Sequence, residues 1–353
     1  MQKNLLMALA IGTLSTTAIA DETSMNSLSY RVKANEFHYE LGMDFGKSEF
    51  LDTETAVGAT TSNNNGYEVK STKWTNDFSY GITDSFSVGL GLDLVLSSKL
   101  TQVSKNNAGA SAAFDSQAEK NDGLGDIRLN TSYRYMDGAV KADLLAGVAI
   151  SGKGKKASRY VNATTGKNSV SEGNAKSGGS SLQLATQFSG AMDKVEWAAV
   201  VAADYKMKAK NTMVNGDETT TANTDYEVVS KSKLDLALGV TGQYNVTSAV
   251  SVGANLLANF VSKDEGTASV FAGNATTTNV TKNTESYTDL TLGAEVKYQV
   301  MSNVALGLNY SHLFGADLKA TQVENDSGTI TRYALATKDR KDDSFGFDIQ
   351  VRF

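Results

Sequence analysis

The stretch YGITDSFSVGLGLDL, Tyr80 to Leu94, holds the end of one strand, a tight turn at Thr83-Asp84 and the start of the next strand. From Phe86 on, Phe86, Val88, Leu90, Leu92 and Leu94 share one face, while Ser87, Gly89, Gly91 and Asp93 share the other. A period of two with one greasy side and one small or polar side is a strand. A soluble sandwich alternates in the same way, so the connections must decide. The pattern returns in QYNVTSAVSVGANLL from Gln243 and in KYQVMSNVALGLNYS from Lys297. Tight turns near Thr83-Asp84, Asp137-Gly138, Met192-Asp193, Thr247-Ser248 and Ser302-Asn303 recur about every 53 to 55 residues, and polar stretches rich in Gly, Ser, Asn and Thr separate them.

This spacing predicts twelve strands, at 36–46, 68–82, 86–101, 124–135, 140–151, 181–190, 195–207, 232–244, 249–261, 286–299, 304–315 and 342–353. An even number of antiparallel strands, with short turns at one end and long loops at the other, reads as an all-β, transmembrane, up-and-down β-barrel with periplasmic turns and extracellular loops. Ten residues at about 3.3 Å each, tilted near 40°, reach about 25 Å, the height of a bilayer's apolar band. Tyr80, Phe86, Tyr133, Tyr135, Phe188, Trp197, Tyr244, Tyr298 and Phe353 fall near the tight-turn end of the apolar face. Phe45, Trp74, Tyr205, Phe260 and Tyr310 fall toward the loop end, so two interfacial girdles are expected.

The strand FGFDIQVRF, with Phe345, Phe347, Ile349, Val351 and Phe353 on one face, resembles the terminal recognition strand of outer-membrane β-barrel (porin-like) proteins of Gram-negative bacteria. The resemblance implies that the barrel-assembly machinery reads this strand, that it pairs with the strand carrying Phe37 to Phe45, and that the barrel sits in the bacterial outer membrane among its lipids and lipopolysaccharide. GLGDIRLNTSYRY, Gly123 to Tyr135, is similar to a segment of outer-membrane transporters linked to aromatic-compound breakdown pathways. No substrate is carried over from that short match.

Composition agrees with a chain of paired strands. Proline is absent from 353 residues, and proline cannot donate to a ladder. There are no cysteines, hence no disulfides and no thiolate metal site, and a net charge of −6 gives no basic field for nucleic acid. Lys3, the apolar run Leu5 to Ile11 and Ala18-Ile19-Ala20 read as a signal peptide over residues 1–20 with cleavage after Ala20. Residues 21–35 are then expected as a periplasmic N-terminal segment and 36–353 as the barrel. The loop from Ser151, with Lys153, Lys155, Lys156, Arg159, Lys167 and Lys176 against Glu172, reads as a mobile, solvated or lipopolysaccharide-facing loop.

If apolar side chains meet lipid, the opposite face lines a lumen, and twelve strands leave an intermediate bore. Inward parity gives Asp44, Asp93, Asp126, Asp204, Asp235 and Asp289 as an acidic band in the outer half, partly offset by Arg128, Lys73, Lys206 and Lys233. Toward the tight turns parity gives Arg134, Lys141, Lys297 and Arg352, facing Glu40, Glu196, Glu295 and Asp348. Such a ring biases ion passage. The expectation is a porin-like, mildly cation-favouring channel for passive diffusion of small hydrophilic or ionic solutes, with pairing of the same charges inside a closed lumen as the competing outcome. The alternative function is a non-conducting surface barrel whose loops bind a partner. His38 and His312 are the two histidines, expected on opposite faces, so neither an enzyme, a cofactor nor a metal site is expected. Without an inward-folded constriction loop in view, a monomer is expected.

Overall fold

The computed structural model describes Met25, Leu28 and residues 30–60, 62–107, 116–151, 154–161, 168–175, 179–217, 224–272 and 275–353. The expected signal peptide lies outside the described residues. Among the described residues the strands, in chain order, are β1 (Phe37–Ala56), β2 (Asn63–Thr83), β3 (Phe86–Asn107), β4 (Ser116–Asp137), β5 (Val140–Ile150), β6 (Gly154–Val161), β7 (Asn168–Ala175), β8 (Ser181–Met192), β9 (Val195–Lys206) and β10 (Ala209–Asp217). They continue as β11 (Thr224–Ser230), β12 (Lys233–Asn245), β13 (Val250–Val261), β14 (Asp264–Ala272), β15 (Ala275–Thr284), β16 (Tyr287–Met301), β17 (Val304–Phe314), β18 (Leu318–Asp326) and β19 (Thr329–Arg352).

Twelve of these, β1 to β5, β8, β9, β12, β13, β16, β17 and β19, pair antiparallel each with the next, and β19 returns to β1. Closure runs through Tyr39 opposite Val351, Leu41 opposite Ile349, Met43 opposite Phe347 and Phe45 opposite Phe345. At the rim Phe37 and Phe353 exchange both backbone hydrogen bonds, at 3.0 and 2.8 Å. A closed ladder leaves no unpaired strand edge, the condition for crossing a bilayer. The tight turns stand where the sequence places them, after Thr83, Asp137, Met192, Asn245 and Met301.

Along each span the side chains divide as the period of two requires. Leu236, Leu238 and Val240 on β12 and Leu290, Leu292 and Val296 on β16 are exposed on the outer face, while their strand neighbours Ala237, Asp289 and Lys297 are buried. Phe45, Trp74, Tyr205, Phe260 and Tyr310 form the outer girdle and Tyr80, Tyr133, Tyr135, Tyr244 and Tyr298 the inner one, all exposed. Leu292 lies between the two girdles, so Leu292→Arg is expected to lower stability in lipid by about 2–4 kcal/mol, the midplane cost of such a charge. Urea titration of the protein refolded into vesicles measures it.

The polar stretches differ from the expected loops. β4 passes to β6, and β6, β7, β10, β11, β14, β15, β18 and β19 then pair in succession back to the upper part of β1. The wall therefore continues beyond the outer girdle as a second twelve-stranded storey. The stretch from Ser151, expected as mobile, contains β6 and β7, paired from Gly154 with Ala175 to Val161 with Asn168. Outside the bilayer both faces of a strand meet water, so no alternation marks such strands in the sequence. The basic side chains of that stretch lie outside the described residues.

Candidate functional site: the barrel lumen

The inner face carries many paired polar groups beside an apolar cluster of Ala185, Ala202, Ala237, Leu257 and Val261. On β3 and β4, Arg128 Nη1 lies 2.9 Å from Asp93 and Nη2 lies 3.0 Å from Asp77, while Lys73 Nζ lies 2.8 Å from Asp93. Gly91 leaves the space for this group, since a Cβ there would come within 2.7 Å of Arg128 Nε. Across the lumen Asp235 meets Lys206 at 3.3 Å and Lys233 at 3.4 Å, and Asp289 takes a two-pronged contact from Arg340 at 2.9 and 3.1 Å. Lys297 lies 3.5 Å from Glu295.

All of the residues read as lumenal carry inward register. Asp93, Asp204, Asp235, Asp289, Arg128, Arg134 and Lys297 are buried, whereas Asp44, Asp126, Lys141 and Arg352 are partly so. What the band does not provide is a ring of unpaired carboxylates at Asp93, Asp235 and Asp289, because Lys73 and Arg128, Lys206 and Lys233, and Arg340 pair with them in turn. Buried charges cost several kcal/mol unless matched in this way. Asp77 and Asp143 were missed, although they share parity with the inward Lys73 and Lys141. Arg340 was missed for a better reason. It stands at a bulge between Lys338 and Lys341, beside Asp339 with φ 52°, where strand parity breaks.

The tight-turn end of the lumen is filled by the segment before β1. Met25 and Leu28 are 1 % and 2 % exposed, and Tyr30 and Val32 are buried behind them. Leu28 donates its backbone N–H to Glu196 Oε2 at 2.8 Å, and Gln187 Nε2 donates to the Leu28 carbonyl at 3.5 Å. Arg31 reaches Asp143 Oδ1 at 2.9 Å and the Ser132 carbonyl at 2.6 Å, and Arg134 bonds the same carboxylate at 3.1 and 3.0 Å. The Tyr30 ring lies 5.6 Å from the His38 ring, and burial pushes its phenol up to about 12, with Glu36 adding to the rise. The chain leaves the lumen through Asn35, whose φ of 64° suits a residue that tolerates the left-handed region. It also passes Gly81, where a Cβ would collide with the Lys33 carbonyl.

Above this segment and below the Arg128 group lies a cavity of about 120 Å³. The two histidines fall on opposite sides of the wall: His38 lines the cavity, whereas His312 is outside, its Nδ1 2.8 Å from Asp343 Oδ1, which also accepts from Tyr310 at 2.6 Å.

No protein-family model and no curated protein matches the chain. Solved structures do. The outer membrane protease OmpT from Escherichia coli matches at 8 % identity, covering 92 % of this chain and 98 % of its own, with a TM-score of 0.43. The translocator domain of the autotransporter NalP from Neisseria meningitidis matches at 12 % identity over 89 % and 88 %, with 0.45. An outer membrane channel from Pseudomonas putida F1 matches at 12 % over 92 % and 97 %, with 0.43. These are likenesses of fold to outer-membrane barrels and say nothing of what this chain does.

Proposed function

We propose that the chain is an outer-membrane channel for small hydrophilic solutes, with its tight turns in the periplasm, its second storey outside, and its lumen closed in this form by Met25, Leu28 and residues 30–33. The observation that carries the reading is the cavity, lined by Arg31, His38, Asp77, Arg128, Asn130 and Asp143 among apolar neighbours, within a wall whose outer face is apolar between two aromatic girdles. Lipid selects the outer face; the inner face has no reason to be polar unless water or solute enters. Cation preference is left out of the proposal, because Asp93, Asp235 and Asp289, three of the carboxylates that suggested it, are paired. An enzyme is left out as well, since both histidines are accounted for on opposite faces of the wall.

The surface-barrel alternative is favoured by one observation, the filled tight-turn end. Planar bilayers separate the two readings. A channel gives brief, low-conductance openings between long closed periods when the protein is held at about 100 mV. A surface barrel stays silent, and unbroken silence retires the channel.

A further inference from the structure

The cavity between the N-terminal segment and the Arg128 group has two unlike sides. The acids and guanidiniums that line it already hold opposite partners. Arg31 lies 2.9 Å from Asp143, and Arg128 lies 3.0 and 3.1 Å from the two oxygens of Asp77. An ionic guest would therefore arrive without a counterion, and a buried unmatched charge is costly. The lining suits a neutral solute.

Hydrogen-bonding capacity, in contrast, is left over. Arg31 Nε and His38 Nε2 are buried nitrogens with no hydrogen-bond partner, on residues that line the cavity. Both are more than nine-tenths buried, at 8 % exposure for the Arg31 side chain and for His38. Asn130 and Gln183 line the same space, and no described residue bonds their side-chain amides. The other side is apolar: Val32 comes from the N-terminal segment, and Leu145 stands directly opposite Ala185 in the wall pairing. Water over such a surface finds few of the roughly two to four polar partners that hold a buried water in place.

We propose that this cavity binds a small neutral solute with hydroxyls on one side and hydrocarbon on the other, the chemistry of a short diol. A hydroxyl both donates and accepts, so one kind of group serves the Arg31 N–H, His38 Nε2 in either tautomer and both ends of an amide. The hydrocarbon lies on Val32, Leu145 and Ala185, where it displaces poorly bonded water. The volume of about 120 Å³, set against the ~150 Å³ that holds benzene, gives a guest of about six heavy atoms. The proposal deepens the channel reading and rests on it for the route by which the solute arrives.

Equilibrium dialysis of the full mature chain in detergent tests it with three probes of matching size, butane-1,2-diol, glycerol and butyrate. The diol is expected to bind saturably. Glycerol lacks the hydrocarbon side and should bind about tenfold more weakly; butyrate brings a charge and should bind more weakly still. His38→Phe and Gln183→Met remove polar atoms that no described residue bonds, so the wall keeps its contacts. Each should weaken the diol about fivefold, the loss of one hydrogen bond. No saturable diol binding to the unaltered chain overturns the site, as does glycerol or butyrate binding as tightly as the diol, or unchanged diol binding in both variants. Silent bilayers with intact diol binding would sink the channel and spare the site, and openings without diol binding would do the reverse.

Discussion

Removing residues 21–33 from the mature chain is expected to raise single-channel conductance at least tenfold and to replace brief openings with a steady open level. The segment fills the tight-turn end of the lumen through Met25, Leu28, Tyr30 and Val32 and is fastened by Leu28 to Glu196 and by Arg31 to Asp143. The wall does not depend on it. Among the described residues its ladder contact is the isolated bridge of Ala34 with Gly81, beyond the deleted residues, so the closed twelve-strand ring keeps its own pairing. Arg31→Ala should give an intermediate result. Breaking a buried pair costs about 3–5 kcal/mol, and each 1.4 kcal/mol is about tenfold in the docked-to-released ratio. Openings in Arg31→Ala should therefore be much more frequent at unchanged amplitude. A deletion variant that inserts normally and conducts like the full chain would show that the segment does not close the lumen.

Arg128→Met should produce the largest loss of stability among lumenal substitutions, about 3–5 kcal/mol by the cost of stranding buried partners. Its guanidinium serves two carboxylates, Asp77 and Asp93, and without it Lys73 alone remains close to Asp93. Arg128→Lys should not rescue it. One ammonium cannot span both carboxylates as a planar fork does. Arg128→Met with Asp77→Asn should recover most of the loss, because the stranded carboxylate goes with the guanidinium while Lys73 still holds Asp93. Lys210→Met is the control. Lys210 pairs with Glu227 at 2.7 Å, but its side chain is 61 % exposed, and a pair so open to solvent contributes less than about 1 kcal/mol. Denaturant midpoints in vesicles report all four variants.

The spans, the tight turns and both girdles were legible because a bilayer imposes one rule on every crossing strand, large apolar side chains outward at every second position. Leu90, Leu238 and Leu292 obey it without exception on their strands. The second storey was not legible, since β14 and β15 stand in water on both faces and carry no such rule. Inward parity found Asp93, Asp235 and Asp289, but not which cations hold them, as that depends on neighbours across strands. Asp77 and Asp143 could have been read from the parity of Lys73 and Lys141. Arg340 could not, because the bulge at Asp339 resets the count. The closing segment was also beyond reach: residues 25–33 have no period of two, and only the folded wall shows where Leu28 and Arg31 land.

The most direct test of the assignment of sides is spin-label accessibility along β16. The chain has no native cysteine, so single cysteines at successive positions from Leu290 to Val296, labelled in lipid bilayers, report each site alone. Relaxation by dissolved oxygen is expected to peak at Leu290, Leu292, Ala294 and Val296 and to fall at Thr291, Gly293 and Glu295. The opposite phase, or no alternation at all, would contradict the barrel as described here.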